Sequence, residues 1–99
     1  MFDLSTINKR YFDIKLNDLV LEVEPPKVKT LKKIVNLTRN AKKEDGLDDM
    51  TDAIQTLLKK NKDNKEVPAE IIDELDFDEM SMILTAFFEW LTGEKISKN

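Results

Sequence analysis

Apolar residues recur at helical spacing between Asp76 and Gly93, and this pattern predicts the longest helix of the chain. Asp76 and Glu79 have the spacing of a capping box, and Gly93 suits the left-handed end of a helix. At about 100° per residue, one face of this helix is apolar and should lie on the core. That face comprises Phe77, Met80, Leu84, Phe87, Phe88 and Leu91, with Ile83 at its edge.

The same helix carries a second apolar stripe, formed by Met82, Ala86 and Trp90, which points away from the predicted core face. The two faces together span roughly 240°, more than twice the width typical of a surface helix. One interpretation is that the stripe is buried under the first helix or under a β-hairpin predicted near the N-terminus. The other is that it contacts a partner protein, with Glu79 and Glu89 as a polar rim. The second interpretation makes these five residues a candidate protein-binding site.

Alternation of apolar and polar residues predicts two β-strands between residues 10 and 24. The polar pair Asn17–Asp18 interrupts the alternation, so the strands should form a β-hairpin with a two-residue turn. Because a lone hairpin is marginally stable in water, it should pack on helices or pair with strands of another subunit. Its apolar face should comprise Phe12, Ile14, Leu16, Leu21 and Val23.

Three more helices are predicted between the hairpin and the last helix. Pro25–Pro26 leads into the first, at residues 27–40. A second begins near Leu47, and a third runs from Ala69 to Leu75 after a polar connector, residues 61–66, that we expect to be mobile. The apolar side of the first helix should carry Val28, Leu31, Ile34, Val35 and Thr38, and that of the second Leu47, Met50, Ile54, Leu57 and Leu58.

This order of elements predicts a small α+β domain, a β-hairpin followed by a cluster of about four helices (ββαααα). We interpret residues 1–99 as a single domain, with a lead-in at 1–9, the hairpin at 10–24, the helical part at 27–92 and a frayed polar tail at 95–99. A chain of this size can hold one modest core, but not a core and a deep substrate cleft.

Histidine and cysteine are absent from the sequence, so the commonest general base, the commonest metal ligand and all thiolates are missing. We therefore expect no enzyme activity, no cofactor, no metal ion and no small-molecule substrate. A net charge of −4 argues against nucleic acid as a partner. Since the sequence has neither a long apolar run nor a basic leader, we expect no membrane span, no signal peptide and a cytoplasmic location.

Charge divides the chain into a basic stretch from Lys27 to Lys43, without acids, and an acidic stretch from Glu66 to Glu79, without bases. The acids lack the glycine-bearing loop of a calcium site, so we interpret them as a solvated face and helix-capping residues. The two stretches are either ordinary solvated surfaces or complementary patches through which copies of the chain associate. The candidate self-association residues are Lys29, Lys32, Lys33, Glu70, Asp73 and Glu74.

The hairpin, the basic and then acidic helices and the closing helix resemble the tail assembly chaperones of long-tailed phages and prophages of Gram-positive bacteria. The closing pattern of that family corresponds here to Leu75, Phe77, Glu79, Met80 and Trp90. The resemblance implies a non-enzymatic, often oligomeric protein of the bacterial host cytoplasm that binds the tape-measure protein and keeps its long apolar helices soluble. The alternative is a small regulatory or adaptor protein, antitoxin-like or anti-repressor-like, that binds one cellular protein.

Overall fold

The computed structural model describes residues 1–6, 10–39 and 46–93. The described residues form two strands, β1 (Phe12–Leu16) and β2 (Leu19–Val23), and then four α-helices: α1 (Val28–Arg39), α2 (Gly46–Lys59), α3 (Ala69–Asp73) and α4 (Phe77–Thr92). This order confirms the predicted α+β fold, a β-hairpin followed by helices. None of the helices in these ranges is both long and apolar enough to span a membrane.

The N-terminal segment has more local structure than its sequence pattern predicts. Leu4–Thr6 form a 3-10 turn, in which Ser5 donates hydrogen bonds from its backbone N–H and its hydroxyl to the Asp3 carboxylate, at 3.0 and 2.9 Å. These hydrogen bonds lower the pKa of Asp3. Residues 7–9 of the predicted lead-in, residues 40–45 between α1 and α2 and the polar tail at 95–99 lie outside the described residues.

β1 and β2 pair antiparallel as predicted, with Leu16 opposite Leu19 across the two-residue turn. Asn17 has a positive φ of 54°, a conformation that asparagine adopts more readily than most residues. The hairpin packs on helices of its own chain, which accounts for its stability without strands from a second subunit. Its predicted apolar face is turned inward, with Phe12, Leu16, Leu21 and Val23 buried and Ile14 half-buried.

The outer edge of β2 is covered by the chain that leaves α2. The backbone N–H of Glu24 donates to the carbonyl of Lys60 at 2.9 Å, and the N–H of Lys62 donates to the carbonyl of Glu22 at 2.8 Å. These bonds extend the ladder by one short segment, so part of the backbone edge of β2 is paired.

Asn61 anchors the start of the connector that we expected to be mobile. The residue is buried, and its side-chain amide donates to the carbonyls of Leu58 and Lys65, both at 3.0 Å. Its side-chain oxygen accepts from the backbone N–H of Lys65 at 2.7 Å. A buried asparagine with three hydrogen bonds holds the connector in a defined turn, which local polarity did not predict.

The core lies where the hairpin, α2 and α4 meet. α2 packs against α1, α3, α4 and β2, and it is the most enclosed helix of the structure. Leu47 and Phe77, which we predicted on core faces, are exposed instead; each lies in the first turn of its helix, and Phe77 is the first residue of α4. The buried side chains of α2 and α4 are Met50, Ala53, Ile54, Leu57 and Leu58, and Met80, Ile83, Leu84 and Phe87.

α1 has nearly its predicted bounds but not its predicted burial. Ile34 is its single buried residue, whereas Val28 is 68% exposed. Leu31 and Val35 are half-buried but do not belong to the hydrophobic core packing. The physical reason is that α1 packs chiefly against α2, so only the strip of its apolar side that faces α2 is covered.

Candidate protein-binding surface

Local hydrogen bonds define both ends of α4, the helix that carries the candidate stripe. The Asp76 carboxylate accepts from the Glu79 backbone N–H at 2.7 Å, and the Glu79 carboxylate accepts from the Asp76 N–H at 2.9 Å. Gly93 ends the helix with a φ of 75°, and its N–H donates to the Glu89 carbonyl at 2.8 Å. Both the predicted capping box and the predicted glycine stop are present.

The predicted stripe on α4 divides into an exposed part and a half-buried part. Met82 is 70% exposed, and Ala86 is exposed one turn further along the helix. Glu79 is exposed on the same side, and Glu89 is half-buried. Met82 and Ala86 therefore form an apolar surface with carboxylates around it, whereas Trp90 lies at the margin of the core.

Trp90 packs against aromatic rings of the core. Its ring centroid lies 5.7 Å from that of Phe12 and 5.9 Å from that of Phe87, and Phe12 and Phe87 meet edge to face at 5.7 Å. These rings connect β1 to the last turns of α4. Trp90 is thus available to a partner only over the part of its ring that the core leaves uncovered.

Arg10 is a contact that the sequence pattern did not predict. Its guanidinium lies 4.6 Å from the centroid of the Trp90 ring and donates to the carbonyls of Trp90 and Leu91, at 2.9 and 2.8 Å. The side chain therefore covers part of the indole and satisfies terminal carbonyls of α4, whose last turn has no basic residue of its own. Arg10 and Trp90 are 80 positions apart in the sequence, so no local sequence pattern predicts their contact.

The two candidate charge patches are exposed and lie on different helices. Lys29, Lys32 and Lys33 project from α1, whereas Glu70, Asp73 and Glu74 lie on α3 and its end. α1 and α3 both pack on α2, and among the described elements α1 has no comparable contact with α3 or α4. The basic and acidic patches of one copy therefore lie on helices that both pack on α2 and have no comparable contact with each other.

A shallow apolar groove, which we call the α1 groove, runs along the outer side of α1. Its volume is about 330 Å³. Its apolar residues were predicted to face the core together with Ile34, but they form this separate surface because α2 covers only part of the helix. The α1 groove is lined by Val28, Leu31, Lys32, Val35, Asn36 and Arg39.

The acidic side chains of the described ranges are not gathered into a metal site. No set of three or more acidic side chains there could hold a metal ion. A depression of about 520 Å³ between the start of α1 and the end of α2 is lined in part by Lys27, Lys59 and Lys60. In the described part of the chain, every buried side-chain nitrogen or oxygen has a hydrogen bond, so no buried polar group there awaits a ligand.

Comparison with known protein families, with curated proteins and with solved structures found no match for this chain.

Proposed function

We propose that this protein is a non-enzymatic phage tail assembly chaperone that binds the tape-measure protein and keeps it soluble during tail morphogenesis. The proposed contact surface is the outer face of α4, with Met82 and Ala86 at its centre and the uncovered part of Trp90 at its end. The observation that carries the proposal is the 70% exposure of Met82 on a 16-residue helix with firmly capped ends. Because its side chain is flexible and polarizable, methionine adapts to varied apolar partners.

The charges around this surface suit a protein that must keep an apolar client dispersed. Glu79 and Glu89 flank the exposed stripe, and the chain has a net charge of −4. An apolar helix laid on Met82 and Ala86 would have its apolar face covered by α4. Glu79 and Glu89 would lie at the edge of this contact, and the net negative charge of the complexes would make them repel one another.

The test is to produce the tape-measure protein of the same phage or prophage with and without this chain, and to measure its soluble fraction. We expect the wild-type chain to raise that fraction. Met82→Glu should abolish most of the effect and weaken binding by at least about tenfold, because it places a charge at the centre of the apolar contact.

Val20→Glu is the matched control, because Val20 is 50% exposed on β2 rather than on α4. Both substitutions replace an exposed apolar residue by glutamate, so both variants should fold. The proposal fails if a folded wild-type chain leaves the tape-measure protein insoluble, or if the two variants lose activity equally. Binding to a single host protein instead would favour the regulatory or adaptor alternative.

A further inference from the structure

We propose that the α1 groove binds the exposed Phe77 of a second copy of this chain, in a head-to-tail contact separate from the client surface. The proposal concerns self-association alone and does not depend on the identity of the client.

The α1 groove is an apolar stripe that lies outside the core formed by the described residues. Val28, Leu31 and Val35 are spaced i, i+3 and i+7 and form a row about 10 Å long. Val28 is 68% exposed, and the other two residues are half-buried outside the core packing. A stripe of this length matches the footprint of one or two large side chains.

Phe77 is the complementary feature on the same chain. It is 54% exposed, and it is the first residue of α4. Asp76 and Glu79 form the capping box around it, so its backbone is held in place before any contact is made. Five residues at about 100° each place Phe77 roughly 140° around the helix from Met82, so the two surfaces can be occupied at the same time.

The charges next to the two surfaces have opposite signs. Lys32 and Arg39 line the α1 groove, whereas Glu74 and Asp78 are exposed near Phe77. A guanidinium can bind a carboxylate through two parallel hydrogen bonds, which would set the orientation of the contact. Because the groove carries basic residues and Phe77 has acidic neighbours, a second copy is the occupant that fits both the shape and the charge.

In the fold, α1 and α4 each pack on α2 and have no comparable contact with each other, so a single copy does not place its own Phe77 in its own groove. The contact is therefore between copies and joins two different surfaces. In an open assembly, such a heterologous contact leaves one groove and one Phe77 unoccupied at the two ends. If the rotation between neighbouring copies permits, the assembly closes into a ring.

Sedimentation velocity on the purified full chain, over a series of protein and salt concentrations, tests the contact. We expect association that weakens as salt rises, because the charge pairs lie at the rim. Val35→Asp and Phe77→Ser should each weaken association by at least about tenfold. Val20→Ser alters an exposed residue of β2 outside both surfaces and should associate as the wild type does. Circular dichroism of each variant establishes that it is folded.

Mixing the two single variants distinguishes this contact from other kinds of dimer. The Val35→Asp copy keeps an intact Phe77, and the Phe77→Ser copy keeps an intact groove, so an equimolar mixture should form a 1:1 complex that cannot grow. Absence of that complex, or a wild-type chain that is monomeric at every concentration and salt, would overturn the proposal. A monomeric wild type whose Val35→Asp variant loses the tape-measure protein would assign the groove to the client instead. Since no client is present in the sedimentation experiment, its failure leaves the chaperone proposal untouched.

Discussion

Helices α1 and α2 have similar amphipathic patterns, but their apolar sides have different roles. α2 is surrounded by α1, α3, α4 and β2, and five of its apolar side chains are buried. α1 packs chiefly against α2, and it buries Ile34 alone. Of its other apolar side chains, Leu37 packs against the edge of the core, whereas Val28, Leu31 and Val35 line an open groove. A periodic apolar pattern therefore indicates that a face will be covered, but not by which chain.

The largest effect that this comparison predicts is a difference in stability between two leucine-to-alanine substitutions, one on each helix. Leu58 on α2 is fully buried, so Leu58→Ala should lower the free energy of unfolding by about 3 kcal/mol through lost contacts and a new cavity. Leu31→Ala on α1 should cost less than about 1 kcal/mol, because Leu31 lies outside the core packing. Urea unfolding of both variants at low protein concentration measures the difference, and equal costs would contradict the division of roles.

A matched pair of asparagines extends the comparison to polar side chains. Asn61→Ala should cost about 2 kcal/mol, because it leaves the Lys65 N–H and the Leu58 and Lys65 carbonyls without their partner at a buried site. Asn36 is exposed on α1, so Asn36→Ala should change stability by no more than about 0.5 kcal/mol. Thermal unfolding of the two variants is the measurement. A stable Asn61→Ala variant would show that the connector does not need this anchor.

The smallest of the expected stability effects is the difference between alanine substitutions of Arg10 and Arg39. Arg10→Ala should cost about 1 kcal/mol and shift the emission of the single tryptophan to longer wavelength, because the guanidinium no longer covers its ring. Arg39→Ala in the α1 groove should leave both the stability and the emission of a single copy unchanged. An unshifted spectrum for Arg10→Ala would contradict the contact with Trp90.

Features encoded by neighbouring residues were predicted well from the sequence. Alternation around Asn17–Asp18 predicted the hairpin, and the Asp76, Glu79 and Gly93 signals predicted the ends of α4, because each depends on residues a few positions apart. Burial of α1 could not be predicted, since it depends on which elements reach that helix in space.

The candidate site shows the same limit. Periodicity placed Met82 and Ala86 on the outer side of α4, but it could not show that Trp90 meets Phe12 or that Arg10 covers its ring. Nor could it show that Phe77 is exposed at the start of α4, because that depends on where the neighbouring elements end. Contacts across some 80 positions leave no trace in a local pattern.

The chain contains no cysteine, so thiol labelling can measure directly whether the apolar stripe of α1 is open in one copy and covered in an assembly. We expect Val35→Cys to react rapidly with a soluble maleimide in dilute protein and at least about tenfold more slowly in concentrated protein at low salt, the same fold-change expected for the contact itself. Leu58→Cys should be protected at every concentration, and Met82→Cys should react rapidly at every concentration. Protection of Val35→Cys in dilute protein would mean that α1 is ordinary core. Equal reactivity at all concentrations would mean that no second copy covers the groove.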